Sequence, residues 1–488
     1  MKSGRRQRLP EGAGEPRLRL VKPLTVADHA PANLEQRLAR RIMARAAAFL
    51  GLNLYTEASG EETPADQLRA RLKQAGVLTE VQTLGGYPDE PRLFRSAAKT
   101  VVDTDGHTPS YGGGGGRHWN DPETAELIAL VEAAERYCLY RIRDLRQARY
   151  RDLAPRALSP TDALEFSEEQ RRHEPIRSAA QFDEESAFSW VSGWSVFGRH
   201  SVWLPAQRVF LNYRFPEGEP RLTSPSSNGG GAGFTLEQAL WGALAELVER
   251  DAFFIFWHNR ISPPRLNLEH SPSDQLRNLA KQMRRYRLEP TVLEITTDLG
   301  IPVFAVILRD TTNIGPAVRV AARAGFDREA AIAGALAEAV SGRINARTAQ
   351  NDRPDRDTAL TLETQRELAM TDRLRLWSKP EMKREIEFLL SGPEIEADPT
   401  TWHEQPTPTE SLNRILNSLR AHGYPVYYWR APVLPEIGLT VVKAIVPGLV
   451  QLYLDERYPL LASPRLREIP AALGYTPLAA VNPTPHPL

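Results

Sequence analysis

The chain of 488 residues holds a single cysteine, Cys138. No disulfide can form within it, and a thiolate-bound metal cluster is excluded. An excess of charge of one sign is lacking too: Lys plus Arg and Asp plus Glu both number 61. That balance argues against a protein built mainly to neutralise nucleic acid or to lie on an anionic membrane. No window approaches the roughly 18 consecutive apolar residues of a membrane-spanning helix. Met1 to Leu20 is rich in Arg and Glu and has no apolar core of the kind a secretory signal needs, so a cytoplasmic location is expected. Several familiar catalytic signatures are missing as well: a Walker A loop, a Gly-x-Gly-x-x-Gly strand–helix turn, a His-Glu-x-x-His pair and a Gly-x-Ser-x-Gly elbow.

What is there is a long alternation of helical and extended patterns. Residues 1–60 read as a variable, partly helical extension, with a basic helix at Leu34 to Leu52. Gln67 to Gly76 and Pro122 to about Gln147 read as helices, with a short strand near Val77 to Thr83. Period-two alternation from Trp190 through Trp203 to Val209, Leu211 and Tyr213 predicts antiparallel strands. A glycine-rich loop, Asn228 to Gly233, precedes a long helix at Leu236 to Trp257. Strands follow at Thr291 to Thr296 and Val303 to Arg309, then helices at Arg328 to Arg343, Glu363 to Ser378 and Lys379 to Leu390. Val426 to Trp429 and Leu439 to Val446 read as late strands. The fold class is α/β or α+β, one large domain over residues 61–488.

A repeat runs through it. Ala232 to Glu246 and Ala324 to Glu338 agree at ten of fifteen positions, and the helix at Glu123 matches more weakly. Repeated units of one type usually pack side by side around a common surface.

The first and second long helices both carry Glu-x-x-Glu-Arg: Glu132, Glu135, Arg136 and Glu246, Glu249, Arg250. Residues three apart share a helix face, with β-carbons about 5–6 Å apart. Two carboxylates that close repel unless a cation lies between them, and the neighbours here are Ala, Leu and Val. Hard oxygen ligands suit Mg²⁺, and the arginines suit phosphate oxygens. Read without any family in view, the same pattern also fits a solvated helix face with i,i+4 ion pairs.

Ser227-Asn-Gly-Gly-Gly-Ala-Gly-Phe-Thr-Leu-Glu-Gln-Ala-Leu240, running into Ala245-Glu-Leu-Val-Glu-Arg-Asp-Ala252, resembles the central motif of YcaO proteins. Glu132 to Cys138 resembles their first acidic motif, and Thr297 to Val303, Trp194 to Pro205 and Pro447-Gly448 are similar to further family segments. The ending, Pro483-x-Pro485-x-Pro487-Leu488, resembles the Pro-rich tail of the azoline-forming branch.

The resemblance covers roughly residues 65 to 488. It implies a YcaO fold of Gly-loop and long-helix units on β-sheet, ATP and Mg²⁺ as cofactors, and cyclodehydration of Cys, Ser or Thr in a ribosomal precursor peptide. Carried over, Glu132, Glu135, Glu246 and Glu249 would hold the metal, with Arg136, Arg250 and Arg343 at the nucleotide. Pro483, Pro485, Pro487 and Leu488 would reach the catalytic centre and orient the peptide; His486 or the Leu488 carboxylate is a candidate base. The chain departs from the family pattern at Ile128, Gln238 and Gly334, and Arg343 is the expected substitute for the arginine missing at 334. The resemblance further implies a separate leader-peptide-binding protein of the E1-like (ocin-ThiF) type, leaves room for a flavin-dependent azoline dehydrogenase, and is compatible with a homodimer. Thioamide or amidine formation, or a non-catalytic peptide-binding scaffold, are the alternatives.

Overall fold

The computed structural model describes residues 63–101, 113–211, 213–352, 370–398, 402, 404–432 and 437–488, all within the unit Glu62–Leu488. The helix expected at Leu34 to Leu52 and the start of the one expected at Glu363 lie outside the described residues.

Helix α1 is Pro64–Gln74, α2 Pro122–Tyr140, α3 Leu236–His258, α4 Asp274–Arg285, α5 Arg328–Asp352, α6 Pro408–Ala421 and α7 Arg465–Ala472, besides shorter turns of helix. Strands β1 (Leu78–Thr83), β2 (Phe94–Thr100) and β3 (Gly113–His118) form one antiparallel sheet. A second sheet joins β4 (Arg146–Arg149), β5 (Ala187–Ser195), β13 (Tyr427–Arg430), β14 (Thr440–Ile445) and β7 (Gly230–Gly233), with β6 (His200–Pro205) also paired to β5. The third runs β11 (Val318–Ala324), β10 (Val303–Asp310), β9 (Leu288–Glu294), β8 (Arg265–Leu266) and β12 (Glu394–Ile395).

Strand β10 shows how the layers close. Val303, Ala305 and Ile307 face one core with α3, whereas Phe304, Val306 and Leu308 face another with α4 and α5. A strand covered on both faces loses its alternation and reads as a continuous apolar run. Helix α3 is likewise buried on every side from Ala252 to His258, as a central helix must be.

The repeat has three copies, each a strand followed by a helix: β3–α2, β7–α3 and β11–α5. Each helix packs on its own strand and on the next copy's: α2 on β3 and β7, α3 on β7 and β11, α5 on β11 and β3. The ring is closed. Glycine makes the strand–helix contact this tight. A β-carbon on Gly116 would stand 1.7 Å from Ala125 O, and one on Gly231 would stand 2.3 Å from Ala239 O. The stretch that reads as a loop, Gly230–Gly233, and the glycine run Gly113–Gly116 are therefore strands lying on helix backbone. Glycine's low strand propensity is overridden by pairing with β2 and β14.

Other boundaries move for tertiary reasons. Helix α2 ends at Tyr140, because 146–149 pairs with β5 and Ala148 O accepts from Trp190 Nε1 at 2.9 Å. Val209, Leu211 and Tyr213 do not lie in a strand. The chain turns at Ala206–Arg208 after Pro205, Leu211 N donates to Leu139 O, and Tyr213 bonds Glu219. Lys379 to Leu390 is mostly 3₁₀ rather than α-helix. Strand β11 and helices α4 and α6 were not expected.

Candidate active site

The ring places both Glu-x-x-Glu-Arg motifs on facing surfaces. Glu132 accepts from Gly115 N at 3.1 Å, on the strand of its own copy, and Glu246 accepts from Gly229 N at 3.3 Å, just ahead of its own strand. The second glutamate of each motif turns to the next copy instead. Glu249 accepts from Ala324 N at 3.2 Å, and Glu135 lies against Gly230. Four of the predicted metal ligands are thus fixed by two helices and three strands.

The arginines are shared between them. Arg136 meets Glu132 at 3.2 Å and Glu135 at 4.0 Å, while Arg250 meets Glu249 at 3.2 Å and Glu246 at 3.9 Å. The Nε atoms of Arg136 and Arg250 are buried without a hydrogen-bond partner. Two guanidiniums do not neutralise the group. Burial pushes the Glu135 carboxyl up to about 8, and the Glu246 charge adds to it against Arg136. Glu249 is pushed up to about 7 by burial, with Arg250 opposing and Glu338 and Glu246 adding. Glu246 is raised by burial despite Arg250, Lys443 and Arg136.

Glu135, Glu246 and Glu249, whose carboxyls burial raises, beside donors with no acceptor, fit a hard divalent cation and phosphate oxygens. Glu132, Glu135, Glu246 and Glu249 are the residues that could hold Mg²⁺, and Arg136 and Arg250 are those that could meet phosphate oxygens.

Three further charged residues belong to the cluster. Glu338 closes the third copy of the repeat, aligned with Glu246, and pairs with Arg117 of β3. Burial raises its carboxyl, but Arg117, Arg250 and Arg323 outweigh that and hold it low. The repeat itself carried this signal. Lys443 donates to Ser226 O and Asn228 O, both at 2.6 Å, and burial lowers it to about 7 against the pull of Glu246 and Glu135. Its signal was a lone lysine within the apolar run Leu439 to Val446.

Arg343 is not brought to the cluster. It is buried against Glu90 at 2.9 Å, Asp310 at 2.7 Å and Pro316 O at 2.6 Å, so its charge is already matched. The site of the expected arginine is filled from elsewhere: the Arg323 side chain of β11 lies over Gly334, where a β-carbon would stand 2.8 Å from Arg323 Cδ. Of the other two departures, Ile128 is exposed, and Gln238 turns back to accept from Phe234 N at 2.9 Å.

The Pro-rich tail is docked. Asn482 N donates to His258 O at 2.8 Å, and Pro485 O accepts from Trp377 Nε1 at 3.1 Å. His486 is fully buried between the rings of Phe254 and Tyr453, with centroids 4.8 and 4.9 Å away, and its Nε2 meets Tyr453 O at 2.9 Å. Pro485 and Pro487 are buried, Pro483 is exposed and Leu488 packs half-buried on the core. Phe254 follows Arg250 by one helical turn, and His486 feels the Arg250 charge. His486 of the tail therefore packs on α3 one helical turn beyond the second motif.

Residues 116–450 match the family described as "YcaO cyclodehydratase, ATP-ad Mg2+-binding". An uncharacterised protein of Methanothermobacter thermautotrophicus is 26% identical over 279 residues, 56% of this chain and 68% of its own. Among solved structures, a heterocyclase in complex with substrate and cofactor superposes with TM-score 0.71 at 24% identity, covering 87% of this chain. The chain spans only 58% of that heterocyclase. YcaO from Methanopyrus kandleri bound with AMPPCP and Mg²⁺ superposes with TM-score 0.55 at 18% identity, covering 79% of this chain and 89% of its own. At these identities the likeness is one of fold. The family match takes in more than half of the sequence and both acidic motifs, and the chain belongs to the YcaO family, whose cofactors are ATP and Mg²⁺.

Proposed function

We propose that this protein is an ATP-dependent cyclodehydratase that converts Cys, Ser or Thr of a ribosomal precursor peptide to thiazoline or oxazoline. The observation that carries the reading is the meeting of Glu132, Glu135, Glu246 and Glu249 around two incompletely bonded arginines, with His486 of the Pro-rich tail packed on Phe254 one helical turn beyond Arg250. ATP with Mg²⁺ supplies a phosphoryl group that turns the amide oxygen, after attack by the side chain, into a leaving group.

The residues of this chain do the rest. Arg136 and Arg250 offset charge on phosphate oxygens, and the ring of backbone amides at Gly115, Gly229 and Ala324 keeps the glutamates in place. Pro485 to Leu488, anchored through His486, form one wall for the peptide. A separate leader-binding protein of the E1-like (ocin-ThiF) type is the expected partner, with a flavin-dependent dehydrogenase as a later one.

The test is mass spectrometry of a Cys-, Ser- and Thr-bearing precursor incubated with the protein, its partner, ATP and Mg²⁺. Loss of one water per ring supports the proposal. Exchange of oxygen for sulfur would make the enzyme a thioamide former, and an unchanged peptide beside tightly bound ATP would make it a scaffold.

A further inference from the structure

Helix α5 presents one stripe to the ring interior: Gly334, Glu338, Ser341 and Asn345, spaced three or four residues apart and so on a single face. Three arginines from three strands meet that stripe in order. Arg95 of β2 donates to Ser341 Oγ at 3.2 Å and to Asn345 Oδ1, Arg117 of β3 pairs with Glu338, and Arg323 of β11 lies over Gly334. The first two have acceptors. Arg323 is exposed, and its side chain makes no hydrogen bond or ion pair with any described residue. It is held only at a distance, by the charges of Glu249 and Glu338.

Gly334 explains the placement. A glycine inside a helix is less stable than alanine there, and here a β-carbon would stand 2.7 Å from Arg323 Nη1 and 3.1 Å from Cζ. The glycine clears a bed for the guanidinium. That bed lies beside Glu249, at the edge of the carboxylate cluster. A planar five-donor fork left open next to a predicted Mg²⁺–nucleotide site has the geometry for bidentate contact with phosphate.

We propose that Arg323 binds a phosphate oxygen of the nucleotide, supplying from a strand the positive charge that helix α5 lacks at Gly334. The proposal rests on the ATP-binding reading above. It assigns the role to a residue outside both acidic motifs and away from Arg343.

The experiment is calorimetric titration of the full chain with Mg²⁺–ATP. The Arg323→Gln variant is expected to bind about 10–100-fold more weakly, the loss of one charge-assisted hydrogen bond or pair. Arg323→Lys is expected to fall between. Gly334→Leu, which displaces the guanidinium while leaving Arg323 in place, is expected to weaken binding similarly. The exchange Arg323→Gly with Gly334→Arg returns a guanidinium to the same space and is expected to recover much of the affinity. A merely structural arginine would not be rescued in this way, so a failed exchange in a folded variant overturns the proposal. Wild-type affinity in Arg323→Gln overturns it and leaves the ATP-binding reading standing. A wild-type chain that binds no Mg²⁺–ATP removes that reading and the proposal with it.

Discussion

Glu135 rests against the backbone of Gly230: a β-carbon on that glycine would stand 2.5 Å from Glu135 Oε1. Helix α2 of one copy and strand β7 of the next touch there, so the position of a proposed metal ligand depends on a residue with no side chain. Gly230→Ala is expected to push Glu135 aside and weaken Mg²⁺–ATP binding by roughly tenfold or more, a misplacement effect of the kind seen when a positioned group shifts by an ångström. Titration calorimetry checks it, and unchanged affinity would mean that Glu135 is free to move.

The buried carboxylates give a pH dependence. Glu135, raised by burial and by Glu246 from 4.5 to about 8, binds more protons in the folded than in the unfolded chain across that window. Folding stability of the metal-free protein should therefore fall as pH rises from about 4.5 to about 8. Lys443, lowered by burial from 10.5 to about 7, acts oppositely and only above about 7. Denaturant melts from pH 5 to pH 7 should show the fall, and Glu135→Gln should flatten it. Mg²⁺–ATP binding near pH 7 should release protons, and less in Glu135→Gln.

Gly116 lies on Ala125 O, and the contact fastens β3 to α2. Gly116→Ala is expected to destabilise the chain by about 1–3 kcal/mol or more through overpacking. Gly115→Ala, with open space at its β-carbon position, is the matched control and should cost far less. Equal losses in the two variants would contradict the packing.

Arg465 of α7 holds Asp251 and Asp298, with its nearest oxygens 2.7 and 2.6 Å away, and both Arg465 and Asp251 are fully buried. Asp251 follows Arg250 directly. Arg465→Met leaves the Asp251 charge uncompensated and is expected to cost about 3–5 kcal/mol. The double change Arg465→Met with Asp251→Asn should recover part of that loss in denaturant melts.

Removing Pro485 to Leu488 is expected to abolish peptide-dependent ATP turnover. Mg²⁺–ATP affinity should change far less, because the strand–helix ring that carries both acidic motifs does not include the tail. A joint loss of binding and turnover would place the tail among the nucleotide contacts.

The central features of the site were legible in the sequence because they are local. Glu132, Glu135, Glu246 and Glu249 follow from helical spacing, and helix α3 from its apolar length behind a glycine-rich stretch. The third copy was half visible: Ala324 to Glu338 gave the repeat, yet Glu338 drew no attention without a second glutamate, since Ser341 stands there. What escaped depends on distant contacts. The strands Gly113–Gly116 and Gly230–Gly233 depend on pairing with β2 and β14 and on the helices that lie on them. Strand β11 was masked by its alanines and arginines, and with it Arg323. Arg343 misled because sequence cannot reveal that Glu90 and Asp310 already neutralise it.

The most direct test of the central claim is titration of the wild-type chain and of Glu246→Gln with ATP, with and without Mg²⁺. Glu246 is fixed by Gly229 N and Arg250, and glutamine keeps its size while removing its charge. The account predicts Mg²⁺-dependent binding by the wild type and a loss of roughly 100-fold or more in Glu246→Gln, with little change in melting temperature. Binding of Mg²⁺–ATP by Glu246→Gln at wild-type strength would contradict it.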